Sequence, residues 1–180
     1  WRVRVACRRP DLAFFLQPLG RVGQVTAVQA NLRYPESAAA ALRGADAVIN
    51  LVGVLAEGGR QSFEAVHGFG AGVVGKAAAA AGVSNVVHVS AIGADAESTA
   101  AYARTKARGE QAIREAVPQT IIFRPSVVFG PEDDFFNRFA RMARVLPVLP
   151  LIGAGTKFQP VFVGDVAQAV ADALDGKAKA

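Results

Sequence analysis

A single cysteine, Cys7, occurs in 180 residues, so no internal disulfide and no cysteine-built metal centre can form. That thiol content suits a reducing compartment such as the cytoplasm, and Cys7 itself reads as a small interior strand residue. Histidine is almost as scarce. His67 and His88 lack any metal-ligand spacing, so no metal site is expected, and each reads as an ordinary packing or surface residue. Long hydrophobic runs are missing as well. Although 52% of the residues are hydrophobic, the longest apolar stretch, Ala45 to Ala56, is interrupted by Asp46 and Asn50 and falls short of a membrane span. The opening Trp1-Arg2-Val3-Arg4-Val5 reads as a strand rather than a signal peptide. Aromatics make up only 8% and are not interleaved with clustered cations; the arginines are dispersed apart from Arg8-Arg9. The net charge of +5 therefore does not point to nucleic acid. It suits nucleotide phosphate, an anionic lipid surface or an acidic partner.

What is present is a regular alternation. Apolar strands are expected near Val3–Val5, at 24–30, 45–52, 85–90 and 120–123, and over the short stretch 161–163. Helical patterns lie between them: a short one after Pro10, then 37–42, 62–81, 98–116, 135–145 and 165–175. Apolar strands alternating with helices imply an α/β fold, a doubly wound parallel sheet covered on both faces. Right-handed crossovers place the ends carrying Arg8, Asn31, Gly53, Ser90 and Arg124 on one rim, where such sheets bind ligands.

Two local patterns compete for attention. Gly70-Ala71-Gly72-Val73-Val74-Gly75 fits a dinucleotide fingerprint, but no strand precedes it directly, and Ala77 stands where a P-loop needs Ser or Thr. These glycines read as helix positions that let the backbone approach the sheet or a ligand. The second pattern is Tyr102-Ala103-Arg104-Thr105-Lys106, which puts Tyr102 and Lys106 side by side on one helix face. A free tyrosine titrates near ~10 and is inert at neutral pH. A neighbouring ammonium favours the phenolate, and a shift of about three units, roughly 4 kcal/mol, makes Tyr102 a usable proton donor or acceptor.

Taken in order, Val5 to Arg9, Asn31-Leu32-Arg33, Ala45 to Gly53, Val87-His88-Val89-Ser90, the Tyr102/Lys106 pair, Arg124 to Pro131 and Pro160 to Val166 resemble the short-chain dehydrogenase/reductase superfamily, in its extended and atypical branch. Within it, His88 to Ala94 and Tyr102 to Glu110 are most similar to the NADPH-binding accessory subunit of respiratory complex I and its bacterial relatives. The resemblance implies a Rossmann-like fold with an NAD(P)-binding core over 1–130 and the start of a substrate-side region over 131–180, whose short strand and helix return to the core. It implies NADPH as cofactor. Arg8, helped by Arg9, would hold the 2′-phosphate. Asn31 and Leu32 would flank the adenine, and the backbone of Leu51, Val52 and Gly53 would pass the ribose and pyrophosphate. Lys106 would bind the nicotinamide ribose, Pro125, Ser126 and Val127 would border the carboxamide, and Tyr102, Lys106 and Ser90 would be the catalytic set.

The sequence also departs from the pattern. The superfamily's first strand and glycine-rich loop are absent from this stretch, which leaves a gap in the sheet and no pyrophosphate cradle, as in an excerpt of a longer protein. The helper Ser falls at Ser90 or gives way to Ala91 or Ile92, and His67 stands roughly where many extended members have Asn. The expected function is a peripheral NADP(H)-binding subunit of complex I, cytoplasmic on the inner face of the inner membrane or on the matrix side in a mitochondrial relative. An active NADP-dependent reductase, epimerase or dehydratase is the alternative. Arg138, Arg141 and Arg144, three apart on one helix, suit lipid phosphates or an acidic neighbour, or form a plain solvated face.

Overall fold

The computed structural model of the chain describes residues 1–146, 148 and 155–177. β1 (Val3–Cys7) runs parallel to β2 (Val25–Gln29), with Val3 opposite Val25. Between them Pro10–Leu19 winds as a 3-10 helix, with Pro10 opening it and Pro18 interrupting any α-helical ladder. α1 (Pro35–Leu42) leads to β3 (Ala47–Asn50), and a π-helical turn, Glu64–Phe69, runs directly into α2 (Gly70–Ala80). Next come β4 (Asn85–Val89), α3 (Ala101–Ala116) and β5 (Ile121–Phe123). The chain goes on through β6 (Val128–Phe129), α4 (Phe136–Val145), β7 (Val161–Phe162) and α5 (Val163–Leu174).

Every strand pair is parallel, as the alternation implies. Hydrogen bonds divide the strands into three leaves, β1-β2, β3-β4-β5 and β6-β7. The gap expected from the resemblance lies between the first two: β1 is bonded to β2 alone and β3 to β4 alone. One consequence is visible on β3, where Val48 is buried and Ile49 stays exposed.

The core sits on the three-stranded leaf. Val86 on β4 packs with Val48, Val74, Ala78 and Ile113 beneath α2 and α3, while Val87 faces the other way onto Val170 and Ala173 of α5. Burial on both faces explains why β4 reads as an unbroken apolar run. Two glycines of α2 approach α3, while Gly70 lies against Leu32 in the loop after β2. A Cβ on Gly75 would lie 3.1 Å from the Ile113 Cα, and one on Gly72 would lie 3.4 Å from the Ala112 Cβ. Gly109 answers from α3, where any Cβ would overlap the His67 carbonyl. The β6–β7 pair, only two residues per strand, carries Phe129 and Phe162 into an aromatic cluster with Phe135, Phe136, Phe139 and Phe158. Among the described residues no helix is long and apolar enough to cross a membrane.

Candidate functional site: the rim at the strand ends

Arg8 follows β1, Asn31 and Leu32 follow β2, Leu51 to Gly53 follow β3, Ser90 follows β4, and Pro125 to Val127 follow β5. Each is thus at the carboxyl end of a parallel strand, where crossovers leave a crevice. α3 lies across the rim and presents Tyr102, Lys106 and Glu110 at successive turns of one face. Lys106 is only 6% exposed. Its Nζ lies 3.2 Å from where a Gly53 Cβ would sit and 5.9 Å from the Tyr102 ring centroid. A side chain at position 53 would press on the end of Lys106 and make it shift by a few tenths of an ångström.

Burial lowers the Lys106 pKa, against the opposing pull of the Glu110 carboxylate. Its ammonium donates to no described residue. The tyrosine corrects an expectation: burial raises the Tyr102 pKa rather than leaving Lys106 to lower it. An ammonium over the ring face stabilises the ring by cation–π attraction but does not touch the phenolic oxygen.

His67, which reads as a bystander in the sequence, belongs to the site. The π-helical turn brings its ring 5.4 Å from Phe63, stacked, and 5.2 Å from Tyr102, edge-on. The Val54 N–H donates to Nε2 at 3.0 Å, and since a backbone N–H can only donate, Nε2 must be unprotonated. Nδ1–H then donates to the Thr105 hydroxyl at 3.2 Å, which donates to the Tyr102 carbonyl at 3.1 Å. This chain of bonds ties the loop after β3 to the first turn of α3. Burial and the nearby Lys106 push the His67 pKa down to about 4, so the ring is neutral at physiological pH.

A second polar layer lies beneath. Asn50 accepts from the Val52 N–H through Oδ1 at 3.1 Å and donates from Nδ2 to His88 Nδ1 at 3.0 Å, so the His88 proton is on Nε2. That Nε2 and the hydroxyl of Ser90, the residue just after β4, are both buried and make no hydrogen bond of ordinary geometry, although the hydroxyl is near enough to Glu110 to favour its carboxylate. Glu110 takes a bidentate pair from Arg124, at 2.9 and 2.5 Å. Burial pushes its carboxyl up, and the Arg124 guanidinium, with the Ser90 hydroxyl and His88, overrides that and holds it below its ordinary value.

The structure brings Gly53, His67, Tyr102 and Lys106 together. Ser90, expected as the hydroxyl helper of Tyr102, is enclosed: its Oγ has no solvent exposure, so as it stands it has no access to a group in the crevice. Leu32 is half-buried against the start of α2, with its Cδ1 3.2 Å from where a Gly70 Cβ would sit. The Asn31 side chain is turned locally, its Oδ1 accepting from the Arg33 N–H at 3.1 Å. Leu51 and Val52 are exposed, Ser126 is half-buried, and the Pro125 and Val127 carbonyls accept from Ile92 and Val161 at 2.8 and 3.0 Å. Arg8 and Arg9 lie on the other leaf of the rim, both exposed. Arg9 is held by Asp11 at 2.7 Å, whereas Arg8 makes no ion pair among the described residues.

Parallel leaves with their loops gathered at one rim, and a tyrosine and a buried lysine on the helix across it, define a nucleotide-binding α/β protein of Rossmann type. The profile of the NAD(P)H-binding family matches residues 2–135, and the chain belongs to that family. Among its relatives, the mitochondrial NADH dehydrogenase [ubiquinone] 1 alpha subcomplex subunit 9 of Mus musculus is 37% identical over 160 residues, covering 88% of this chain and 42% of that protein. The ceramide reductase of Caulobacter vibrioides is 31% identical over 167 residues, 93% of this chain and 51% of the relative. The chain thus spans about half the length, or less, of these relatives. Of solved structures, a dTDP-glucose 4,6-dehydratase from Streptomyces venezuelae with NAD bound superposes with a TM-score of 0.76 at 20% identity, covering 100% of this chain and 73% of that one. A wide-type short-chain dehydrogenase/reductase from Veillonella parvula in complex with NADP gives 0.64 at 16% identity, covering 98% and 76%. These structures share the fold expected from the resemblance.

Proposed function

We propose that this chain is the NADP(H)-holding part of a peripheral accessory subunit of respiratory complex I, in which the nucleotide is kept for structure rather than turned over. The single observation behind this reading is the contrast on α3. Lys106 is 6% exposed as a residue, and its Nζ faces the loop at Gly53 without a hydrogen bond to a described residue, while the Ser90 hydroxyl that would help Tyr102 is enclosed. An ammonium that no described protein group engages is free to donate to ribose hydroxyls in the crevice. The residues present fit a nicotinamide dinucleotide at both ends. Lys106 would hold the nicotinamide ribose, with Pro125, Ser126 and Val127 beside the carboxamide; Leu51 to Gly53 would pass by backbone; and Asn31 and Leu32 would flank the adenine. Arg8 would meet the 2′-phosphate, since Arg9 is already engaged by Asp11. The middle of the nucleotide finds no glycine-rich cradle among the described residues. When bound, the nicotinamide supplies hydride chemistry. This chain's part is to grip and orient it, and burial keeps the Tyr102 hydroxyl protonated, so that it can donate a hydrogen bond.

The proposed partners are that dinucleotide and complex I subunits, as the Mus musculus relative's name suggests. The proposed location is the inner face of the inner membrane. Calorimetry on the full chain tests the grip: NADPH binds more tightly than NADH, and Arg8→Ala removes roughly tenfold to a hundredfold of that preference with little change for NADH. Equal affinity for the two nucleotides in the unsubstituted protein would end the assignment of Arg8. Co-purification with complex I subunits tests the partner.

The second reading, an active NADP-dependent reductase, epimerase or dehydratase, is favoured by the Tyr102–Lys106 stack and by the ceramide reductase relative. Oxidation of NADPH by a carbonyl substrate, abolished in Tyr102→Phe, would establish it.

A further inference from the structure

We infer that Glu110, braced by Arg124, is the enclosed counter-ion of Lys106, a positioning residue that acts on the crevice through that ammonium. What the ammonium then meets, a ribose, rests on the nucleotide reading; the pairing itself does not. Lys106 and Glu110 lie one turn apart on the same face of α3 and are 6% and 5% exposed. An ammonium so enclosed sheds its proton readily unless an anion stands near.

The other groups packed around Lys106 cannot serve. The Val54 N–H donates to His67 Nε2 and the Asn50 amide donates to His88 Nδ1, at 3.0 Å each, so neither ring carries a second proton, and neither is an anion. Tyr102 keeps its phenolic proton. On the π-helical turn, Glu64 is exposed and engaged by Arg108 at 3.1 Å. Lys76, the one charged residue of α2, is exposed, and Arg124, just past β5, is itself a cation. Glu110 is left as the carboxylate that opposes the effect of burial on Lys106. Its own ionisation depends on Arg124, which donates through Nε and Nη2 at 2.9 and 2.5 Å. The dependence runs one way. The Arg124 side chain is half-exposed and water can solvate it, whereas the Glu110 carboxylate is enclosed and has no such recourse.

The test follows the Lys106 side-chain signal by NMR in the full chain, labelled with 13C,15N-lysine and free of nucleotide, from pH 7 to pH 11. Lys106→Arg identifies the signal. Glu110→Gln should move its midpoint down by about one pH unit or more, because the anion is gone. Arg124→Gln should move it up, by less, because Glu110 stays ionised in that range and a neighbouring cation is lost. A merely structural ion pair would shift the midpoint the same way in both variants, and that result, or an unmoved midpoint in Glu110→Gln, would overturn the inference. Should Glu110→Gln not fold, the half-exposed Arg124→Gln decides alone: an upward shift supports the pairing, and a downward shift or none ends it. Calorimetry with NADPH on the same samples keeps the two readings apart. Opposite shifts in a chain that binds no NADPH would sink the nucleotide reading and leave the counter-ion in place.

Discussion

α3 and α4 are both amphipathic, but they put opposite residues inside. α3 buries Thr105, Lys106 and Glu110, whereas α4 leaves Phe135, Phe136 and Phe139 partly in solvent. On α3 the cost of enclosing charge is offset by specific partners: the Arg124 pair at Glu110 and the hydrogen bonds from Val54 through His67 to Tyr102. On α4 the half-exposed rings find only other phenylalanines, Phe129 and Phe158 among them. Groups of the wrong polarity for their surroundings thus mark two kinds of site. Buried polar groups, where they are satisfied, define a pocket's shape and charge. Exposed apolar groups define a patch of the kind at which proteins meet other surfaces.

The strongest way to break this contrast is to force α3 away from its support. Gly109→Val places methyl groups into the His67 carbonyl, and we expect about 3 kcal/mol or more of stability lost in urea unfolding, or no folded protein. Unchanged stability would show that the π-helical turn is not pressed on α3.

Acid attacks the same region more gently. Both His67 and His88 are held down to about 4, against 6.5 when free, by burial and the nearby Lys106. The unfolded chain therefore binds more protons between these values. Stability should be fully present above about pH 6.5 and fall as pH drops toward 4, by up to roughly 3 kcal/mol for each ring. Urea midpoints that stay flat across that window would place both rings in solvent. The smallest effect belongs to α4. Phe139→Ser should cost less than about 1 kcal/mol, because the ring is 47% exposed, while binding of a hydrophobic dye falls. A loss comparable to that of Gly109→Val would erase the distinction between the two helices.

Much of this arrangement is legible in the sequence. The alternation of apolar strands and helices yields the parallel order. The Phe and Arg spacing of α4 gives its limits almost residue for residue, and loop position gathers Arg8, Asn31 and Gly53 at one rim. Four features are not legible, each for a physical reason. Spacing puts Lys106 beside Tyr102 but does not reveal burial, and burial decides the sign of the tyrosine's shift. His67 is recruited by a backbone N–H from Val54, a partner that has no residue-type signature; the one hint is its place where many extended members carry Asn. β6, at two residues, is too short for any period, so the seam that brings Phe129 to Phe162 appears only in three dimensions. Ser90 was readable as a hydroxyl near the rim, but its depth was not.

The open margins of β1 and β3 have a colloidal consequence. Each presents an unpaired row of amide and carbonyl groups, and on β3 the row is flanked by exposed Ile49, Leu51 and Val52. Such margins template the strands of other molecules. In concentrated solution this chain on its own should cross-pair and precipitate, unless a parallel peptide fills the slot.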